Sequence, residues 1–306
     1  MQRIAIRSII KGVADIVMVS PNKLNMLDAA YFEQLRDVFE QVDQDPSVKV
    51  AVLRAEGKLF TAGLDLKSTS DMFFNDISIP QKAKVAGALA LGKMGVKVSV
   101  DITEAGMPAM RNQMLMQIIA RWQAACSSLE NCRVPVIAAI HGKCIGGGID
   151  IVTAADMRVC TKDATFNVKE VRVGITADLG TLARLGRIVG EGRAREYAFT
   201  ARDIGSEEAL RVGLVNHVYE TQAELEAKSM ELAASIAANS PMAVQGTKKV
   251  LNNNNEEATR RSLQFVKMWN TAFLKSDDIV ESMLAFSQKR EPKFDTYVPP
   301  TPTKEK

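Results

Sequence analysis

The sequence of 306 residues contains only two histidines and four cysteines. Cys126, Cys132, Cys144 and Cys160 lack the spacing of a zinc site or of a disulfide framework, so we expect reduced thiols and no metal site. No run of about 20 apolar residues is present, which argues against a membrane-spanning helix. The net charge of +3, from 39 basic and 36 acidic side chains, is too small to indicate a nucleic-acid partner.

Apolar and charged residues make up 46% and 25% of the sequence, as in ordinary globular proteins. The segment IAIRSIIKGVADIVMVS alternates around Gly12, which predicts two paired strands. LDAAYFEQLRDVFEQVDQD follows with helical spacing and Asp28 as its N-cap, and VKVAVLRAEG returns to a strand. A similar cycle recurs around 134–165, so the pattern favours an α/β fold.

Three consecutive glycines, Gly146, Gly147 and Gly148, follow the apolar segment VPVIAAI, which predicts a buried strand. The sequence after them, IDIVTAADMRV, has the pattern of a helix. Glycines at the start of a helix expose backbone N–H groups where the helix dipole favours negative charge. This turn therefore predicts a backbone site for an oxyanion.

Three acidic residues accompany this turn: Asp150, Glu170 and Asp178, spaced by 20 and 8 positions. Carboxylates beside an oxyanion site suggest proton transfer next to a carbonyl group. A simpler interpretation of Asp150 and Asp178 is helix capping, because both lie near predicted helix starts. If the three acids share an apolar pocket, burial and mutual repulsion should keep at least one of them protonated near neutral pH.

This region resembles the crotonase (enoyl-CoA hydratase/isomerase) superfamily, and two further motifs agree. LFTAGLDL, Leu59 to Leu66, is similar to the first oxyanion segment of that superfamily, and SPNKLNML (20–27) is similar to its CoA-contacting segment. The resemblance runs from about residue 3 to 294 and implies a spiral of ββα units. The three acids most resemble those of the dienoyl-CoA isomerase branch.

The resemblance also implies roles for individual residues. Leu64 and Gly147 would supply the oxyanion-hole amides, Glu170 would exchange a proton at the thioester α-carbon, and Asp178 would act further along the acyl chain. Asp150 lies where hydratases carry a second glutamate, and its role is left open. The expected substrate and CoA contacts are Ala62, Gly63, Asp65, Leu66, Gly148, Lys23, Leu24, Leu27 and Lys289.

The implied activity is an isomerase that converts 3,5-dienoyl-CoA to 2,4-dienoyl-CoA by proton transfer between C2 and C6. It needs an acyl-CoA thioester as its substrate, no cofactor and no metal. Two alternatives remain: an enoyl-CoA hydratase, and a relative that binds RNA. The second would require a lysine-rich face with exposed aromatic residues, whereas the lysines between 82 and 97 are spread out and lack aromatic neighbours.

We expect a spiral core over 1–200 and a helical C-terminal region over 201–290 that forms homotrimers or dimers of trimers. Residues 68–110 are interpreted as an insertion, either a surface excursion or a lid over the acyl pocket, and 291–306 as a disordered tail. Neither end shows a targeting signal. The expected location is mitochondrial or peroxisomal in a eukaryote and cytoplasmic in a bacterium.

Overall fold

The computed structural model describes residues 2–66, 68–69, 108–274 and 276–294, which form nine strands and ten α-helices. The strands are β1 Ile4–Ile10, β2 Val13–Met18, β3 Val50–Ala55, β4 Val136–Ile140, β5 Lys143–Ile145, β6 Met157–Thr161, β7 Thr165–Asn167, β8 Ile204–Gly205 and β9 His217–Tyr219. The helices are α1 Ala29–Gln44, α2 Pro108–Asn131, α3 Gly147–Ala154, α4 Thr181–Val189, α5 Glu191–Thr200, α6 Ser206–Arg211, α7 Gln222–Ala237, α8 Pro241–Asn253, α9 Glu256–Phe273 and α10 Asp277–Ser287. Two 3-10 turns cover Pro21–Lys23 and Glu170–Val173.

Two sheets organise the described chain, and the α/β class predicted from the sequence is confirmed. The larger has the order β1-β2-β3-β4-β6-β9, with β1 and β2 antiparallel and the other pairs parallel. The smaller has the order β5-β7-β8. An isolated bridge between Thr61 and Cys144 connects the segment after β3 to β5, so the oxyanion motifs of the sequence lie side by side.

The larger sheet is covered on both faces, because every residue of β2 and β4 is buried. Leu225, Ala233 and Ala237 of α7 pack on one face against Val52 and Ile137. The main core on the other face contains the buried side chains of α1 and α2. Parallel strands with apolar residues on both sides need two such layers.

The hairpin around Gly12 and the helix that Asp28 caps are confirmed, since the Asp28 carboxylate accepts a hydrogen bond from Tyr31 N. The predicted helix IDIVTAADMRV is too long. It ends at Ala154, and Met157 begins β6, which pairs with β4. Periodicity could not locate this boundary, because no glycine or proline separates the helix from the buried strand in the sequence AADMRV.

Helices dominate after residue 200, as predicted, yet both sheets receive a strand from this region: β8 pairs with β7, and β9 pairs with β6. No helix within the described ranges has the length and apolar character that crossing a membrane would require. The insertion expected at 68–110 lies largely outside the described residues. So does most of the tail expected at 291–306.

Candidate active site

The strand-to-helix turn after β5 presents the first candidate oxyanion donor. Gly146 has φ +55°, a conformation that favours glycine, and Gly147 begins α3. The N–H of Gly147 has no acceptor within its own helix, since the first four N–H groups of a helix lack one. It lies where the helix dipole is positive and is free to bind an anionic oxygen.

The second candidate donor is the N–H of Leu64. Leu27 forms a parallel bridge with Leu64: Leu27 N donates to Gly63 O at 2.9 Å, and Asp65 N donates to Leu27 O at 2.8 Å. In this pairing, the N–H of Leu64 itself points away from Leu27, towards the other side of the segment. Among the described residues it has no backbone acceptor. Gly63, at φ +89°, allows the chain to turn here.

Both segments open onto one pocket, which also brings the three predicted acids together. Leu64 and Gly147 line it together with Asp150, Glu170 and Asp178. The other lining residues are Phe32, Ala62, Gly63, Leu66, Leu115, Ile119, Trp122, Ile145, Gly146, Lys169, Val173, Ile175, Leu179 and Leu274. The acids therefore stand in a mostly apolar cavity beside two free backbone amides, which is an arrangement suited to moving protons at a carbonyl compound.

Asp150 lies in the first turn of α3 and is almost completely buried. Its Oδ1 accepts a hydrogen bond of 2.7 Å from the N–H of Thr181, the first residue of α4. Burial raises the pKa of Asp150 to about 6, while the bonds from Thr181 and the nearby Arg184 oppose this shift. Asp150 thus caps a helix, as the simpler interpretation held, but the helix is α4 rather than its own.

Glu170 begins the 3-10 turn after β7, and its Oε2 is buried without a hydrogen-bond partner among the described residues. Its Oε1 lies close to the glycine turn, since a Cβ added to Gly146 would stand 3.3 Å from it. Burial raises the pKa of Glu170 to about 8, and the charges of Asp150 and Asp178 add to the shift. An unsatisfied carboxylate with a pKa near neutral is suited to act as a general base.

Asp178 lies in the loop before α4, and a residue of the C-terminal region holds it. Asn270 of α9 donates a hydrogen bond of 2.7 Å from Nδ2 to Asp178 Oδ2. Burial raises the pKa of Asp178 to about 7, against the lowering effect of this bond, and the charge of Asp150 raises it further. The sequence analysis did not single out Asn270.

Sequence reasoning also missed the apolar walls of the pocket. Trp122 of α2 stacks on Phe32 of α1, with ring centroids 4.6 Å apart, and both line the cavity. Leu115 and Ile119 extend the same face of α2 by helical spacing. The sequence of α2 carries no signal that this face borders a cavity.

Several predicted contact residues lie behind the pocket wall instead of lining it. Leu27 packs under the glycine turn, where a Cβ on Gly147 would stand 2.9 Å from its Cδ1. Gly148 faces Thr61 and Cys144. The Asp65 carboxylate accepts a hydrogen bond from Ser68 N.

Two of the predicted nucleotide contacts, Lys23 and Lys289, lie on the surface. Lys23 is exposed in its 3-10 turn, and Leu24 O accepts a hydrogen bond from Ala62 N at 3.0 Å. Lys289 is exposed after α10. The exposed Lys169 beside Glu170 does line the pocket and was not predicted. In the described part of the chain, no three His, Cys, Asp or Glu side chains form a cluster fit for a metal ion.

Comparisons with known proteins identify the family of this chain. Residues 8–93 and 100–297 match the family model described as "Enoyl-CoA hydratase/isomerase". A mitochondrial Delta(3,5)-Delta(2,4)-dienoyl-CoA isomerase of Dictyostelium discoideum is 38% identical over 92% of this chain and 87% of its own length. The peroxisomal one of Arabidopsis thaliana is 38% identical over 92% of each chain.

A solved structure has the same fold. The enoyl-CoA hydratase/isomerase of Pseudoalteromonas atlantica T6c superposes with a TM-score of 0.75, at 24% identity, over 96% of this chain and 100% of that one. The family model covers most of the sequence, and the relatives match it nearly from end to end. The chain therefore belongs to the enoyl-CoA hydratase/isomerase family, with the crotonase fold.

Proposed function

We propose that this protein is an isomerase that converts 3,5-dienoyl-CoA to 2,4-dienoyl-CoA. The observation that carries the proposal is the third carboxylate, Asp178, which lines the same pocket as Asp150 and Glu170 and is held there by Asn270. A reaction that moves protons at two distant carbons needs two separate acid–base groups. The two relatives named above carry this activity in their names.

The first step takes place at C2 of the substrate. The thioester oxygen binds the amides of Leu64 and Gly147, which stabilise the negative charge that develops on it. Glu170 removes a proton from C2, and the C–H electron pair becomes part of an enolate conjugated with both double bonds. Each oxyanion donor of this kind contributes roughly 10²–10³-fold in well-studied enzymes.

The second step takes place at C6. Asp178 gives its proton to C6, where the conjugated enolate carries part of its negative charge. A C–H bond forms at C6, the thioester carbonyl is restored, and the double bonds then lie at C2 and C4. Glu170 ends protonated and Asp178 ionised, so the two groups must return their proton before the next turnover.

The reaction requires particular protonation states of Glu170 and Asp178. Burial raises the pKa of both Glu170 and Asp178 towards the neutral range, so the pair can hold a proton that either group carries. The reactive form has Glu170 ionised and Asp178 protonated. In this mechanism Asp150 acts through its charge, because that charge raises the pKa of both partners.

The alternative activity is hydration of a 2-enoyl-CoA. A hydratase uses two carboxylates to hold one water molecule near C3, and Asp150 and Glu170 are the pair in this chain that such a mechanism would need. The carboxylate of Asp150, however, already accepts a hydrogen bond from Thr181 N at the start of α4. Hydration would also leave Asp178 without a role. We therefore favour the isomerase.

Further parts of the proposal concern the setting of the enzyme. We propose that the reaction needs no cofactor beyond the CoA of the substrate, that Lys23 and Lys289 contact that CoA, and that the chain forms homo-oligomers. In a eukaryote the enzyme would act in mitochondria or peroxisomes, and in a bacterium in the cytoplasm.

Ultraviolet spectroscopy with purified protein tests the activity. On addition of 3,5-octadienoyl-CoA, we expect a growing absorption band of the conjugated 2,4-dienoyl thioester. Asp178→Asn should lower the rate by about 10²–10⁴-fold, because it removes the acid for C6.

A 2-enoyl-CoA substrate serves as the control in the same assay. An unchanged diene with rapid loss of the enoyl band would show a hydratase and overturn the isomerase assignment. Retained diene conversion in Asp178→Asn would overturn the role of Asp178 alone.

A further inference from the structure

Asn270 connects the C-terminal helix α9 to the loop that carries Asp178. Its side chain is buried, with 2% of its surface exposed, and lies in the last turn of α9. Nδ2 donates two hydrogen bonds, one to Thr176 O at 2.8 Å and one to Asp178 Oδ2 at 2.7 Å. Both N–H bonds of the amide are therefore directed at the same loop.

The hydrogen bond to Thr176 O fixes the orientation of the Asn270 side-chain amide. A backbone carbonyl oxygen only accepts hydrogen bonds, so the NH₂ end of Asn270, not its oxygen, must face the loop. Asp178 Oδ2 therefore lies against an amide NH₂ group, which donates hydrogen bonds and cannot accept one. A protonated Oδ2 would accept this N–H less strongly than an unprotonated one, so the hydrogen bond from Asn270 favours the proton on Oδ1.

We propose that Asn270 is a positioning residue that reserves Asp178 Oδ2 as an acceptor and confines the transferable proton of Asp178 to Oδ1. This inference rests on the proposed isomerase function and refines it. The O–H bond that breaks during protonation of C6 is then always at Oδ1, and Oδ2 keeps its hydrogen bond before and after the transfer. A fixed oxygen for the proton fixes the direction from which C6 is approached.

Other ionisable groups also act on Asp178 from the elements around it. The charge of Asp150 on α3 raises the pKa of Asp178. The charge of Asp178 in turn raises the pKa of Glu170 on the 3-10 turn and of the Cys126 thiol on α2. The bond from Asn270 acts against burial and against these neighbours, because it stabilises the ionised carboxylate. Loss of Asn270 should therefore raise the pKa of Asp178.

Gln123 offers a matched control. It is also buried, and its Nε2 donates to the backbone oxygen of Asp178 at 2.7 Å and to Leu263 O on α9 at 2.9 Å. It thus fastens the same loop to the same helix with two hydrogen bonds, but it does not touch the Asp178 carboxylate. A residue that only fastens the loop should behave as Gln123 does.

The test compares Asn270→Ala with Gln123→Ala in the full-length protein, with 3,5-octadienoyl-CoA in D₂O. Mass spectrometry of the recovered diene measures deuterium entry at C2, and ultraviolet absorption measures conversion. In Asn270→Ala we expect conversion to fall about 10- to 100-fold, which is less than the loss of a whole general acid. C2 exchange should persist, since Glu170 still removes and returns that proton. In Gln123→Ala the two rates should fall together.

A fall of both rates by the same factor in Asn270→Ala, as in Gln123→Ala, would overturn the proposal and leave Asn270 a merely structural residue. If the wild-type protein converts no diene, the proposed function fails, and a second measurement then decides about Asn270. Titration of ¹³C-labelled aspartate by NMR should show a raised pKa of Asp178 in Asn270→Ala but not in Gln123→Ala. An unchanged pKa would also overturn the proposal.

Discussion

The three acids of the pocket are held in an environment that opposes their charge. Burial is the largest cause of the raised pKa at each of Asp150, Glu170 and Asp178. A carboxyl group whose pKa is higher in the folded protein than in the unfolded chain favours the fold only while it is protonated. The reactivity of the site therefore carries a cost in stability that grows with pH.

Glu170→Gln should reveal this cost. The folded-state pKa of about 8 exceeds the unfolded value of about 4.3, so the stabilising contribution is complete below pH 4.3 and is lost as the pH rises through 8. Glutamine stays neutral throughout. We expect the variant and the wild type to have similar free energies of unfolding at pH 4, and the variant to be more stable at pH 9, by at most about 5 kcal/mol, because only the wild type then carries the buried charge.

Urea denaturation at a fixed protein concentration, followed by tryptophan fluorescence at several pH values, measures this difference. Glu33→Gln, at an exposed position of α1, is the control and should show no such trend. A difference that is constant with pH would contradict the assignment of Glu170 as a buried acid with a raised pKa.

At the residue scale, Asn270 illustrates which features of the site can be predicted from the sequence and which cannot. It follows the buried Val266 by four positions, so the helical pattern places a polar side chain on the buried face of α9. A buried polar group needs a partner, but only the structure shows that this face of α9 is buried. The identity of the partner could not be predicted from the sequence, because Asp178 is 92 residues away in the chain.

At the scale of elements, local patterns predicted the first four strands and the helix α1, because apolar spacing and caps act over a few residues. The hairpin β1–β2 and the capped helix α1 are examples, and the glycines also predicted the turn before α3. The end of α3 was predicted wrongly, since no glycine or proline separates this helix from β6. The cavity beside α2 was not predictable either, because its walls come from elements far apart in the sequence.

The close packing of the glycines at the start of α3 allows a prediction about the stability of variants at these positions. A Cβ on Gly148 would stand 2.5 Å from Thr61 Cγ2 and 3.0 Å from Cys144 Sγ, two side chains of a bridge between backbone segments. On Gly147 it would meet only the end of the Leu27 side chain, at 2.9 Å. Gly148→Ala should therefore lower the free energy of unfolding by about 1–3 kcal/mol, and Gly147→Ala by less.

Urea denaturation of the two variants checks this order. Gly192→Ala on α5 is the control, since nothing lies within 4 Å of an added Cβ there, and alanine should stabilise that helix by about 0.5–1 kcal/mol. Equal losses at positions 147 and 148 would contradict the close seating of α3 against Thr61.

At the scale of the whole molecule, α9 has one face at the candidate active site and the other at the protein surface. Its inner face carries Asn270, while its outer face exposes Phe265, Trp269 and Phe273 to 68%, 46% and 59%. Val266, which neighbours Phe265 in the sequence, is buried. Three exposed aromatic rings on one helix face form a patch of the kind that marks a protein–protein interface.

We expect this patch to form the contact between copies of the chain. Trp269→Glu should place a charge among apolar side chains in the assembled protein and lower its mass in solution to that of one chain. Sedimentation velocity over a range of concentrations measures the mass.

Ile10→Glu, at an exposed position of β1, is the control, because it adds the same charge elsewhere and should leave the assembly intact. Because α9 also carries Asn270, the dissociated variant should convert 3,5-octadienoyl-CoA more slowly at a given pH while keeping C2 exchange. An undiminished mass in Trp269→Glu would show that the copies associate through another surface.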